Sequence, residues 1–454
     1  MNRKDFIKTT AAAGAMAAMP ALASAAQTRS PIHAKGVMPK FSGANVKGSG
    51  KIKVAIVGIG GRGTGALQNM FDANQNIELI AVGDAFAFPV ERAKKIINAN
   101  IEKKYPGKFN DFWKVGDNVF IGLDAIDKVV KTDADVVVLT TPPIFRPAHI
   151  QKCLENNKHV FAEKPICIDA AGLRKVLDEL IPMANAKKLS VLCGTQMRYQ
   201  SAIREGVERV RDGQIGDIVS AQFLRYEPTY LTTGIWRENV NPSLVPEDAE
   251  FQLKNWLAFI WASGGQFVEQ YIHNLDMALW ALGKLPDEVV GTGGRQTDLP
   301  FPQKGNRYST YSVNYEYANG VWLAAGCRQE YKAAPYATFR VYGTKGTLDM
   351  SFGKQIIKGE KPCVIPTPKK QALVCEHEFL FNAILSGNHI NTMKQCADSC
   401  YIAIAGREAA FSGKRFKCEW VLKRSKQNLM PENFRLGAKF PIAPVPAPAT
   451  YKLS

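Results

Sequence analysis

The chain has 454 residues, 46% hydrophobic and 22% charged, enough apolar material for two globular domains and too balanced for a disordered or fibrous protein. Lys and Arg (58) outnumber Asp and Glu (41), for a formal net charge of +17, but the basic residues are scattered and form no aromatic-interleaved block, so nucleic-acid binding is not expected. The body of the chain has no uncharged apolar run of about 18 residues, so no membrane span is expected.

Residues 1–25 read as an export signal. Arg3-Lys4-Asp5-Phe6-Ile7-Lys8 is a charged start, Thr9 to Leu22 a small apolar run, and Ala23-Ser24-Ala25 a cleavage site. The start resembles the twin-arginine pattern R-R-x-F-L-K with Lys4 in the second arginine position, which predicts a periplasmic protein. Residues 26–50, rich in Ser, Gly, Pro and Lys, read as a linker.

Residues 51–194 carry the rhythm of a doubly wound parallel sheet. Val54 to Val57 form a buried strand, followed at once by Gly58-Ile59-Gly60-Gly61-Arg62-Gly63, a G-x-G-x-x-G turn opening a helix. Such a turn lets a pyrophosphate approach bare backbone at the positive helix end. A second strand, 77–82, leads to Asp84, where a ribose-binding carboxylate belongs; no Arg or Lys adjoins it, so NAD is expected rather than NADP. Ala85 to Lys114 reads as helical. Further strands at 135–140, 159–162 and 190–193 alternate with helices at 146–156 and from Asp169 to Lys187. Ligands in such sheets sit at the carboxyl ends of strands. The crevice residues expected to hold NAD are therefore Gly58, Ile59, Gly60, Gly61, Arg62, Gly63, Asp84, Thr141, Pro142, His149, Glu163 and Lys164.

Residues 195–430 change rhythm. After a helix at 201–211, strands at 218–225, 310–317, 320–329 and 337–342 alternate with period two and follow one another through turns, which predicts an α+β domain on a large, mostly antiparallel sheet. Helices are expected at 376–385 and 397–411, and residues 431–454, with four prolines from Pro441 on, read as an extended tail.

Three constellations could do chemistry. Lys164, between Glu163 and Pro165 at a strand end, can donate to a substrate oxygen and favour developing alkoxide charge. In Gly264 to Asp276, a continuous helix would put Glu269, His273 and Asp276 on one face, with His273 titrating near neutrality as a general base. A metal shell of the same three residues is the rival reading, and no metal is assigned. Gln196, Arg198 and Tyr199 follow the last strand of the first domain and would face the cleft, with Trp236 and Asp276, to bind a polyhydroxylated ligand. Of the nine cysteines, Cys153, Cys167 and Cys193 read as core. Cys375, His377, Cys396 and Cys400 match no standard zinc spacing, and a disulfide among them is the better alternative in an exported protein.

GIGGRG, Asp84, TTPP, HVFAEKP, GTQMRY, GGQFVEQYIHNLD and the GTKG at 343–346 together resemble the glucose–fructose oxidoreductase / inositol dehydrogenase family, Gfo/Idh/MocA, over residues 51 to about 430. The resemblance implies a Rossmann domain and a C-terminal domain with an open sheet. It also implies tightly held NAD(P), oxidation or reduction of sugars and cyclitols, and homo-oligomers, dimers or tetramers, formed through the sheet face. It makes Lys164 the family lysine of E-K-P and His273 the histidine of D-x-x-x-H, with Glu269 replacing the usual Asp. Glu376-His377 and the GREAAFSGK run at 406–414 look closest to exported members. Some relatives are NAD-using glycosidases, notably α-N-acetylgalactosaminidases, which generally lack the E-K-P lysine. The expected function is that of an exported NAD-dependent sugar, cyclitol or glycoside oxidoreductase that retains its cofactor. The alternatives are a redox-neutral glycosidase and a non-catalytic NAD-bound sugar-binding protein.

Overall fold

The computed structural model describes residues 51–229, 243–296, 305–351 and 353–454. The expected signal and linker lie outside the described residues.

The first sheet is parallel throughout. It is built by β1 (Ile52–Val57), α1 (Gly61–Ala73), β2 (Ile77–Asp84), α2 (Ala87–Lys104), β3 (Val119–Ile121), β4 (Val136–Leu139), α3 (Arg146–Glu155), β5 (His159–Ala162), α4 (170–186) and β6 (Val191–Cys193), in the order β3-β2-β1-β4-β5-β6. All four residues of β4 are buried, as a central strand covered by helices on both faces requires. The order reverses between β1 and β4, which opens a crevice at their carboxyl ends. The Asp169 carboxylate accepts from Gly172 N at 2.7 Å and caps α4. Two local readings change. The helix expected over 85–114 stops at Lys104, because Pro106 and Gly107, at φ +78°, cannot continue it. Edge strand β3 was not foreseen; it is three residues long, with Val119 and Ile121 exposed, so it carries no buried alternation.

The second half contributes α5 (Ser201–Arg211), β7 (Ile218–Glu227), α6 (Ala249–Lys254), α7 (Gln266–Glu269), α8 (Ile272–Leu282), β8 (Glu288–Gly294), β9 (Thr310–Glu316), β10 (Trp322–Gln329), β11 (Tyr336–Gly343), β12 (Gly346–Met350), β13 (Gln355–Gly359), β14 (Cys363–Ile365), α9 (Ala372–Leu385), α10 (Met393–Ser412) and β15 (Phe416–Lys417). Its strands run in the order β14-β13-β12-β11-β7-β10-β9-β8-β15, antiparallel except where β7 pairs with β10. Leu323, Ala325 and Cys327 point into the core, on the face that carries α8 and α10, which pack on β7, β8 and β9, while Trp322 and Tyr336 stay on the open face. Two tyrosines pin helices to the sheet: the Tyr315 hydroxyl donates to Ile402 O at 2.6 Å, and the Tyr271 hydroxyl donates to Phe223 O while accepting from Gly326 N at 3.1 Å. Helix α9 returns to the first sheet and packs on α1, setting the His377 ring 4.3 Å from that of Phe161.

Near the end of α10, Arg407 and Glu408 form a fully buried ion pair. Glu408 also accepts from Gln427 Nε2 at 2.9 Å and from the Tyr451 hydroxyl at 2.6 Å, so the chain's last segment docks on the core although it forms no helix. Arg407→Met should lower unfolding free energy by about 3–5 kcal/mol, because it strands a buried carboxylate, and Tyr451→Phe by about 1 kcal/mol. Urea titration reads both, and an unchanged Tyr451→Phe would mean that the terminal segment does not dock in solution.

Candidate active site

The glycine turn sets the site. Gly58 has φ +88°, and a Cβ there would lie 2.6 Å from Thr141 N; a Cβ on Gly63 would lie 2.3 Å from Gly58 O. Helix α1 therefore seats directly on the ends of β1 and β4. A Cβ at Gly60 or Gly61 meets nothing within 4 Å, and the first turn of α1 has no side-chain cap. Bare backbone N–H groups thus face open space at a positive helix end, the cradle a pyrophosphate needs.

Asp84 ends β2 beside this cradle. Its Oδ2 accepts from Ile59 N at 2.8 Å and its Oδ1 from Phe86 N at 3.0 Å. Burial pushes its carboxyl up to about 6, against the pull of those N–H groups. Across the crevice, Thr141 Oγ1 lies 3.3 Å from His149 Nδ1, and burial with nearby Lys152 pushes that imidazole down to about 3, so it is neutral. Buried Arg146 donates to Pro165 O at 2.6 Å and to Thr141 O at 2.7 Å, bracing the loops after β4 and β5 against each other.

The loop after β5 carries the charges. Arg62 Nε donates to Glu163 Oε1 at 2.5 Å. Despite burial, Arg62 and Lys164 hold the Glu163 carboxyl below the usual carboxylate range. Lys164 Nζ donates to Glu269 Oε1 at 2.9 Å and to Glu269 O at 2.7 Å. His273 faces the same space from α8. Burial, with Lys164, Arg225 and Arg62 nearby, holds its imidazole well below the usual histidine range, so it is a neutral acceptor rather than a group titrating near neutrality.

These groups line one cavity of about 570 Å³. The structure brings together Gly58, Gly60, Gly61, Arg62, Gly63, Asp84, Thr141, Pro142, His149, Glu163, Lys164, Gln196, Glu269 and His273. Other expected site residues lie elsewhere. Ile59 is buried behind the turn and offers its N–H to Asp84. Arg198 and Asp276, expected to bind substrate, instead form a buried bidentate pair, with Arg198 Nε and Nη2 each 2.9 Å from an Asp276 oxygen and Ser399 Oγ 2.8 Å from the same carboxylate. Tyr199 is buried beside Phe379. Trp236 lies outside the described residues. The continuous helix is also corrected: α7 ends at Glu269 and α8 begins at Ile272, so Glu269 and His273 reach the cavity from separate helices while Asp276 points into the core.

Among the described residues no group of three His, Cys, Asp or Glu is placed to hold a metal. All nine cysteines are free thiols, so none of the disulfides considered is formed. No described helix is long and apolar enough to cross a membrane. Phe145, Arg146, Leu253, Trp256, Leu257 and Gln270 also line the cavity and were not anticipated. Only Gln270, next to Glu269, carried a sequence signal.

Residues 52–191 match the profile of the oxidoreductase family with an NAD-binding Rossmann fold, and residues 203–349 that of the GFO/IDH/MocA C-terminal domain. The chain is 24% identical over 303 residues to scyllo-inositol 2-dehydrogenase (NAD(+)) of Bacillus subtilis, covering 66% of this chain and 73% of that protein. It is also 24% identical to a glycosyl hydrolase family 109 protein of Shewanella, over 52% of this chain and 50% of that one. Scyllo-inositol dehydrogenase from Lactobacillus casei, solved with NAD(H) and scyllo-inositol, superposes with TM-score 0.58 at 23% identity, over 81% of this chain and 99% of that chain.

Asp84→Asn should weaken NAD binding roughly 10–100-fold at neutral pH, because the amide loses the charge-assisted acceptor for ribose hydroxyls. In the unmodified protein NAD affinity should fall as pH drops below about 6, where the carboxyl takes a proton. The folded value lies above the ordinary 3.8, so this group favours the folded state below that range and loses its contribution as pH rises through about 6. Calorimetric NAD titrations on either side of that pH check the affinity; a pH-independent affinity would rule out Asp84 as the ribose acceptor.

Proposed function

Because the chain belongs to the GFO/IDH/MocA oxidoreductase family, we propose that it is an exported NAD-dependent oxidoreductase acting on a hydroxyl carbon of a sugar, cyclitol or glycoside. One observation carries the reading. The Lys164–Glu269 pair and neutral His273 share a single cavity with the bare glycine turn and Asp84. The turn would hold the pyrophosphate and Asp84 the adenosine ribose, leaving the Lys164 end for nicotinamide and substrate. When bound, NAD supplies a hydride acceptor at its nicotinamide ring. The protein's own part is positional and electrostatic. Lys164 donates to the substrate oxygen and stabilises its negative character as the C–H bond breaks. His273, uncharged and desolvated, takes the hydroxyl proton, so an alcohol becomes a ketone with one hydride and one proton removed. Gln196 and Gln270, on the cavity wall, offer donors and acceptors for further hydroxyls.

Residues 1–25 support export; an uncut chain in the cytoplasm would overturn that part. Outside the cytoplasm there is no pool of free NAD, so the cofactor stays bound and is reoxidised in place by a second substrate. A redox-neutral glycosidase is the second reading, favoured by the Shewanella likeness and opposed by the presence of Lys164. We further propose a homo-oligomer joined through the open face of the nine-stranded sheet, where Trp322, Tyr336 and Val364 are exposed side chains of one face.

Protein purified without added cofactor should release nicotinamide nucleotide on denaturation. A sugar panel should produce the near-ultraviolet band of reduced nicotinamide in a single turnover, slowed roughly 10²–10⁴-fold by Lys164→Ala. Glycoside cleavage with no lasting band would favour the redox-neutral reading, and no nucleotide bound even when offered would sink both. Trp322→Glu should shift sedimentation toward the monomer; an unchanged profile would place the contact elsewhere.

A further inference from the structure

We propose that residues 247–258 form a strap over the adenosine end of the crevice, and that residues 438–440 fasten it there, so that NAD leaves only when the two part. The inference rests on reading the crevice as a retained-NAD site.

The first observation is where the strap lies. Leu253, Trp256 and Leu257 line the same cavity as Asp84, Phe86 and Leu123, although the two sets belong to different halves of the chain. Lys254 Nζ sits 5.0 Å from the centroid of the Phe86 ring, two residues past the ribose carboxylate. Together Leu253, Trp256 and Leu257 offer an apolar surface of the kind an adenine face packs against.

The second observation is what holds it. The strap consists of the six-residue α6 and the three-residue turn Trp256–Ala258, too short to be stable on internal hydrogen bonds alone. At its far end Ala258 O accepts from Arg307 N at 3.4 Å, and along α6 its external backbone bonds run to the terminal segment. Ala249 N donates to Ala438 O at 2.9 Å, Phe440 N donates to Glu247 O at 2.7 Å, and Asp248 and Lys439 form an antiparallel bridge. Gln252, nearly fully buried, donates from Nε2 to Phe440 O at 2.9 Å and accepts from Trp261 Nε1 at 2.7 Å, so one side chain ties strap and tail to Trp261, whose ring stands edge-on to Phe145 of the cavity wall at 6.5 Å. From the tail side, the Phe434 ring stacks on Phe440 at 5.5 Å and packs against Phe145, itself on the cavity wall, at 6.0 Å. None of these tail and clasp contacts touches the groups assigned to hydride transfer.

The test compares full-length protein with Gln252→Leu, which at similar volume removes both side-chain hydrogen bonds of Gln252, the one to the tail at Phe440 O and the one from Trp261. NAD-loaded protein is chased with excess unlabelled NAD, and the dissociation rate of labelled NAD is followed. The rate should rise roughly 10–100-fold in the variant, two hydrogen bonds' worth. Sugar oxidation by the NAD-loaded site in a single turnover should stay within about twofold. Amide exchange of 247–258 in the unmodified protein should slow when NAD is added, a readout that does not depend on the variant folding. Equal dissociation rates, or exchange at 247–258 indifferent to NAD, would overturn the strap. Failure to bind NAD at all would instead overturn the reading of the crevice, so the two failures are distinguishable.

Discussion

The ammonium of Lys164, bonded to both the carbonyl and the carboxylate of Glu269, joins the carboxyl edge of the first sheet to the helices of the second half. Both side chains are nearly buried, at 11% and 7% exposure, so removing either one strands the other's charge in a poorly solvated place. The same two segments are stapled again from below. Arg407 donates to Ile168 O at 2.7 Å, four residues past Lys164, and to Gly264 O at 3.2 Å, five residues before Glu269. A reactive group held at one point can swing; here the loop after β5 and the turn before α7 are each held twice. That fixes Lys164 relative to His273, which follows Glu269 by one short turn, and it places the site on supported elements rather than on free loops.

What the sequence made legible was local. The glycine turn, the strand after it and Asp84 lie within about thirty residues, and each residue's role follows from backbone sterics that any such turn obeys. The alternating strands of the second half were readable for the same reason: one face is buried and the other is not. Partners far apart in the chain were not readable. Arg198 and Asp276 are 78 residues apart, and each alone looks like a cleft residue until its counter-ion is seen. The helical face shared by Glu269, His273 and Asp276 failed at Tyr271. Its N–H bonds back to Gln266 O at 3.0 Å, five residues earlier, and its hydroxyl is drawn into the sheet, so the helix is interrupted and its phase resets. The charge state of His273 was misjudged because burial and three nearby cations are properties of the folded cleft, not of the residue's neighbours in sequence. The apolar wall of Leu253, Trp256 and Leu257 belongs to no motif and could come only from the fold.

Behind the glycine turn two carboxyl groups compete for one guanidinium. Glu163 bonds Arg62 directly and also has the Lys164 cation beside it. Glu376, on α9, is fully buried with neither oxygen hydrogen-bonded among the described residues, and burial together with the Glu163 charge holds its carboxyl well above the usual range. Two nearby carboxylates cannot both ionise in so little solvent, so the proton belongs on Glu376 and the negative charge on Glu163. His377, buried beside it, is likewise kept neutral by burial and by Arg62. Around the Lys164 end of the cavity the guanidinium groups of Arg62 and Arg146 and the Lys164 ammonium stand with the carboxylates of Glu163 and Glu269, while His149, His273, His377 and the Glu376 carboxyl are uncharged. The cationic excess of the chain, net +17, thus extends into the cleft, where burial keeps each imidazole neutral and able to accept a proton. In the proposed reaction His273 gains a positive charge beside Lys164, Arg225 and Arg62, and the Glu269 carboxylate, on the helix just before it and bonded to Lys164, offsets part of that cationic field.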